Sequence, residues 1–246
     1  MMYIITTGLN PNESYICHHG IKGQKWGVRR FQNYDGTRIH KSTSKVNSNK
    51  VVSDISKEVK KYANAGPCGN QNCQLCTWSA EMQFRGEKML PRPILSPRDP
   101  ALELNGYDIV KNPTKLSINN KNDIFRTVES TGNGSRYYCH VNWKDSVGGH
   151  EFIIKNDGGK AKLCDAQAGL YCDLSDKRAK DYVNDINYKN SFLVRMDDKE
   201  INRDILKYND KSHMMNWDTK KDIAYMLENG MVSESEVKKE FPEYYK

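Results

Sequence analysis

Cys73 is the residue best placed for nucleophilic chemistry in this chain. It follows Asn72, a good N-cap, and opens a run that reads as a helix to about Arg85, with Gly86 as its stop. A free thiol titrates near ~8.5, and a helix N-terminus or a nearby imidazolium moves it toward the reactive thiolate. The N–H groups of a first helical turn also offer hydrogen bonds to a developing oxyanion. Cys76 is the rival nucleophile, but it lies one turn further in, where those N–H groups begin to be consumed. Cys73 is therefore preferred, and Cys76 is read as a packing residue.

A base for that thiol comes from a hairpin. Asn156-Asp157-Gly158-Gly159 signals a tight turn between two strands. With Asp157 and Gly158 as a two-residue type I′ loop, Asn156 pairs with Gly159 and His150 falls opposite Asp165. Opposite residues share a face, with Cβ atoms about 4.5–5.5 Å apart. A carboxylate there would accept the Nδ1 proton of His150, fix its tautomer and stabilise the imidazolium. Cys73, His150 and Asp165 are thus the expected catalytic triad. Gly148 and Gly149 before the histidine leave room for a substrate backbone. Gln71 and Asn72 are candidate oxyanion donors, although a capping role already accounts for Asn72. Gln167, two residues after Asp165, would orient that carboxylate or line the pocket.

The same cysteines admit other chemistry. Cys73 and Cys76 form a CxxC that can bind zinc with Cys68 and one of Cys17, His18 or His19, although that spacing is unusual for a structural site. A redox pair of the thioredoxin kind lacks its parallel βαβ setting. The seven cysteines are an odd count in a chain with no recognisable secretory leader, so thiols are expected rather than a disulfide framework. The triad chemistry requires no metal and no cofactor.

The elements around these residues follow from pattern. Residues 1–50 are expected to be a basic, weakly structured leader and linker, and 51–66 a connecting helix over about 53–63 capped by Ser53 or Asp54. Residues 67–208 form the catalytic domain, and 209–246 a C-terminal pair of short helices, the second opened by a Ser233–Glu236 capping box. Strands are expected at 137–143, 150–155, 161–165 and 192–196, and a helix at 176–186. Cys139, Cys164 and Cys172 read as packing residues. The 246 residues, 37% hydrophobic and 28% charged, suit a soluble globular chain, and no stretch is apolar enough to span a membrane. The net charge of +7, concentrated near the N-terminus, suits either a solvated arm or a patch for nucleic acid.

A cysteine opening a helix, packed on an antiparallel sheet that carries histidine and then aspartate, resembles the papain arrangement. The expected fold class is accordingly α+β, a papain-like cysteine hydrolase fold. Asn72-Cys73-Gln74-Leu75-Cys76, Glu81, Arg85-Gly86, Gly148-Gly149-His150, Asp165-Ala166-Gln167-Ala168-Gly169 and Val194-Arg195-Met196-Asp197 come in the order found in papain-fold toxin domains. Ala166 stands where that family usually has proline. The resemblance covers about residues 68–206. It implies amide hydrolysis through a thioester on a host protein, most of all protein-glutamine deamidation, with peptide or isopeptide cleavage as the alternative. His18–Phe31 with Tyr34-Asp35-Gly36-Thr37 resembles a leader segment of phage structural proteins. Together the two resemblances imply a virion-associated effector that docks on phage head proteins and acts in the bacterial cytoplasm. A non-catalytic head component that binds nucleic acid through its basic arm is the competing expectation.

Overall fold

The computed structural model describes residues 46–62, 68, 71–144 and 148–245. Helix α1, Ser48–Lys60, starts earlier than expected because Asn47 caps it, accepting from the Lys50 N–H at 3.2 Å. Its stripe of Val51, Val52, Ile55 and Val59 enters the same core as helix α2, Cys73–Phe84, so α1 is part of the domain rather than a connector. Eleven of the twelve α2 residues are buried, the mark of a helix enclosed on all sides. It ends where expected: Gly86 has φ +87°, and the Gly86 and Glu87 N–H groups return to the Gln83 and Met82 carbonyls.

Strand β1, Lys115–Ser117, and helix α3, Lys121–Glu129, are additions to the elements expected from the sequence. The strands expected near 137–143, 150–155 and 161–165 are β2, Arg136–Trp143, β3, Gly149–Asp157, and β4, Lys160–Asp165. A short β5, Leu170–Asp173, helix α4, Lys177–Asp185, and β6, Ile186–Arg195, follow. The six strands form one antiparallel sheet in the order β1-β6-β2-β3-β4-β5. The fold is therefore α+β. Alternation along each strand divides the core. Tyr138, Ile153, Cys164 and Val194 face α1 and α2, whereas Tyr137, Cys139, Phe152, Ile154 and Leu163 face α3 and α4.

The C-terminal part begins with the short α5, Arg203–Leu206, and ends in α6, Thr219–Glu228, and α7, Glu234–Glu240. The capping box of Ser233 and Glu236 is present. These last helices share a small core of Ile223, Met226 and Val237, against which Phe241 and Tyr244 pack. Buried Asp222 fixes them to the Pro-rich segment through Ser96 at 2.7 Å and Arg98 at 2.5 Å. The 208/209 boundary runs through packed structure, since the Asn209 amide donates to the Leu90 carbonyl and to Ser79.

The far end of α2 is held by charge. Glu81, fully buried, accepts from Arg85 Nε at 2.7 Å and from Arg136 Nε and Nη2 at 2.7 and 2.9 Å. Arg85 also donates to the Met196 carbonyl at 2.5 Å, and Asp197 accepts the Arg136 N–H at 2.8 Å. Burial alone would raise the Glu81 carboxyl, but Arg136 and Arg85 outweigh it and hold it below the usual range. A depressed carboxyl contributes stability that is present above the unfolded value, near 4.5, and lost as pH falls. Glu81→Gln should leave two guanidinium groups without their anion and cost roughly 3–5 kcal/mol. Urea unfolding followed by circular dichroism should show this loss at neutral pH and a smaller loss on acidification than in the wild type.

Candidate active site

Backbone alternation explains how α2 reaches the strand that carries His150. Ladder pairs on the two sides of β3 run from Gly149 to Lys155 toward β2, but only from Ile153 to Asp157 toward β4. Below Ile153, β4 leaves, and the edge of β3 is open on that side. Residues 157, 155 and 153 turn their N–H and C=O groups toward β4, and by the same period residue 151 turns its own toward the gap. Side chains of α2 fill it. The Thr77 hydroxyl lies 3.0 Å from the Glu151 carbonyl and 2.9 Å from that of Cys73, and the Glu151 N–H is bonded to the Cys73 sulfur. The first turn of the helix thus stands in for a missing strand.

The hairpin register differs from the expected one. Asp157 pairs with Lys160, so the loop residues are Gly158 and Gly159, with φ +67° and +84°. Both positions of a type I′ turn need positive φ, which two glycines adopt without strain, and Asp157 is left free to accept from the Tyr171 hydroxyl. Sliding the loop by one residue moves each partner by two, which preserves the face. His150 and Asp165 become diagonal neighbours rather than opposite ones. The ring bridges the offset with its distal nitrogen: His150 Nε2 lies 2.6 Å from Asp165 Oδ2, where Nδ1 was expected. Nδ1 is then the nitrogen left for the Cys73 thiol, to which His150 is hydrogen-bonded.

Asp165 has no exposed surface, and three donors hold it: His150, the Ala168 N–H at 2.9 Å on Oδ1, and the Tyr182 hydroxyl at 2.9 Å on Oδ2. Burial would raise its carboxyl, but His150 and these bonds bring it below the usual range. Burial would likewise lower His150, yet Asp165 and then Cys73 lift it well above the ordinary imidazole value. Burial pushes the Cys73 thiol up, the bond to His150 pulls it down, and the Glu151 charge pushes it up again. The upward push prevails. Cys76 faces the core, and burial raises its thiol well above the ordinary value.

The supporting residues are placed differently from expectation. Asn72 precedes α2 but makes no side-chain cap. Its Nδ2 donates to the Arg92 carbonyl at 3.3 Å, and its Oδ1 accepts from Gln167 Nε2 at 2.9 Å. Gln167 lies beyond the end of β4 in the β4–β5 turn, and its amide braces the entry to α2. Gln71 donates its backbone N–H to the Cys68 carbonyl, one turn before the helix. Gly149 is required by space, because a Cβ there would lie 2.5 Å from the Val141 carbonyl. Tyr182 escaped the sequence reading, as did the rings of Trp143 and Phe152, 6.2 and 5.7 Å from that of His150. Cys17, His18 and His19, needed for the zinc alternative, lie outside the described residues. No family model matches the chain, and no curated protein or solved structure is significantly similar to it.

A raised histidine contributes stability that is fully present below its unfolded value, about 6.5, and lost as pH rises through the folded one. Asp165→Asn removes the main cause of the rise. The His150 ring should then titrate at lower pH by NMR, and the loss of stability above neutrality should shrink. A His150 titration unchanged in the variant would mean that Asp165 does not set its charge.

Proposed function

We propose that this chain is a papain-like, cysteine-dependent amide hydrolase that acts on a protein substrate, most specifically a protein-glutamine deamidase. One observation carries the reading: Cys73 opens a buried helix, is hydrogen-bonded to His150, and His150 is bonded through its other nitrogen to a fully buried Asp165. In the proposed cycle His150 takes the thiol proton and the thiolate attacks the amide carbon. The oxyanion is met by N–H groups at the start of α2, where Cys76 N–H is the first to close an intrahelical bond, to the Asn72 carbonyl at 3.0 Å. Protonated His150 then gives its proton to the departing amine or ammonia, leaving a thioester. Water, deprotonated by His150, hydrolyses the thioester and restores the thiol. The Asn72 side chain is already engaged with Arg92 and Gln167, which favours the backbone as the oxyanion donor.

The further proposal of a phage-carried effector, docked on head proteins and acting in the bacterial cytoplasm, rests on the leader resemblance at His18–Phe31, which lies outside the described residues. Purified particles should contain the protein, and particles without it would end that proposal.

The enzymatic reading is tested by incubating the full chain with bacterial proteins and following ammonia release and Gln→Glu mass shifts. Cys73→Ser and His150→Ala should each lower the rate by about 10⁴-fold or more, and Asp165→Ala by roughly two orders of magnitude less. New protein N-termini without ammonia would favour the peptidase alternative on the same triad. Activity that survives Cys73→Ser would remove the nucleophile from the scheme.

A further inference from the structure

On the side of Cys73 away from Asp165 lies a second cluster of polar groups that the proposed cycle does not use. Glu151 follows His150 on β3, and its side chain shares the face of Ile153, which packs with α2. It is buried, and its Oε1 lies 3.2 Å from Nδ1 of buried His140 on β2. Fully buried Tyr138, two residues before His140, turns its hydroxyl into the same pocket beside Gly106, without a hydrogen bond among the described residues. Gly106 presses on both groups. A Cβ there would lie 1.8 Å from the Tyr138 oxygen and 2.7 Å from Glu151 Oε2, and Trp78 Nε1 pins the Gly106 carbonyl at 2.7 Å. The ring of His140 is stacked on Phe192 at 4.8 Å, and its Nε2 is buried without a protein partner among the described residues.

The titratable groups turned toward this carboxylate are Tyr138 and His140 from β2, Tyr107 from the turn after Gly106, and Cys73 from α2. Toward Cys73 they are Glu151 and His150 from β3, with Asp165 behind the latter and Cys76 one turn along α2. Cys73 therefore stands between an imidazole that favours its thiolate and a carboxylate that opposes it. In a site that excludes water such charges act with little screening.

We propose that Glu151, bonded to His140 and buried beside Tyr138 and the first turn of α2, is a positioning residue that keeps Cys73 in its thiol form in the resting site and sets the pH at which the nucleophile appears. The inference rests on the reading of Cys73 as the nucleophile. It adds a restraint to the triad: neutralising or withdrawing the Glu151 charge eases the transfer of the thiol proton to His150.

The test is the pH profile of Cys73 alkylation by iodoacetamide in the full chain, with the modified residue located by mass spectrometry. Glu151→Gln should move the profile down by about one pH unit. The gain in thiolate is partly offset by the lower nucleophilicity of a more acidic thiol, so labelling at a pH below both midpoints should rise only about threefold. Glu151→Asp keeps the charge but draws it back, and should move the profile in the same direction by less. His150→Ala should move it upward. A Glu151→Gln profile that superposes on the wild type, or an upward move in Glu151→Asp, overturns the inference. No substrate enters the measurement, so it separates from the enzymatic reading: a shifted profile in a protein without amidase activity upholds the inference, and amidase activity with an unshifted profile refutes it alone.

Discussion

The site depends on the first turn of α2 occupying the edge of β3 that β4 vacates. A buried carbonyl such as that of Glu151 costs about 1–3 kcal/mol if left without a donor. The Thr77 hydroxyl supplies one, and the Glu151 N–H is taken by the Cys73 sulfur. Both backbone bonds belong to a residue adjacent to His150. Satisfying the strand edge and setting the thiol beside the imidazole are therefore one event, and the sulfur cannot leave without exposing an unpaired strand group.

Burial works against every charge in the triad, and the outcome differs by residue. Asp165 gathers three donors and stays ionised against the loss of solvent. His150 gains enough from that carboxylate to reverse its own desolvation. Cys73 has the imidazole and the Glu151 N–H in its favour, with burial and the Glu151 carboxylate against it, and ends above its ordinary value. These directions favour charge on the imidazole and oppose it on the sulfur, so the transfer of the thiol proton to His150 is the step that burial and Glu151 restrain.

What the sequence made legible followed from local rules. The start of α2 at Cys73, the stop at Gly86, the capping box at Ser233 and the grouping of His150 with Asp165 each rest on residues close together in the chain. The hairpin register was harder, because Asn156-Asp157-Gly158-Gly159 contains two overlapping loops. Gly-Gly prevails once Asp157 finds Tyr171, a partner on β5 that no local pattern announces. The face survived that error only because a loop slide changes the pairing by two. The side-chain role of Asn72 was misread because its partners, Arg92 and Gln167, lie 20 and 95 residues away. Strand β1 has three exposed residues and so lacks the alternation that marks a strand, whereas α3 does carry a legible signal, an Asn120 cap followed by Ile124 and Val128 one turn apart.

The residues that carry the family resemblance separate into two groups by position. Asn72, Cys73, Gly149, His150, Asp165 and Gln167 gather at the N-terminal end of α2, whereas Glu81, Arg85 and Asp197 gather around Arg136 at the other end. The second group is two turns from the sulfur, about 12 Å along the axis. Its contribution is mechanical. A helix buried on all sides is held by interdigitated packing, and directional bonds sharpen its register further. Two arginines converging on one buried carboxylate have direction, since both bonds lengthen with any displacement. A shift of 1 Å in the attacking atom costs about 10²-fold in rate. A charge cluster that holds the helix in register at one end thus supports the placement of the proposed triad at the other, which is a physical reason for the two groups to occur together.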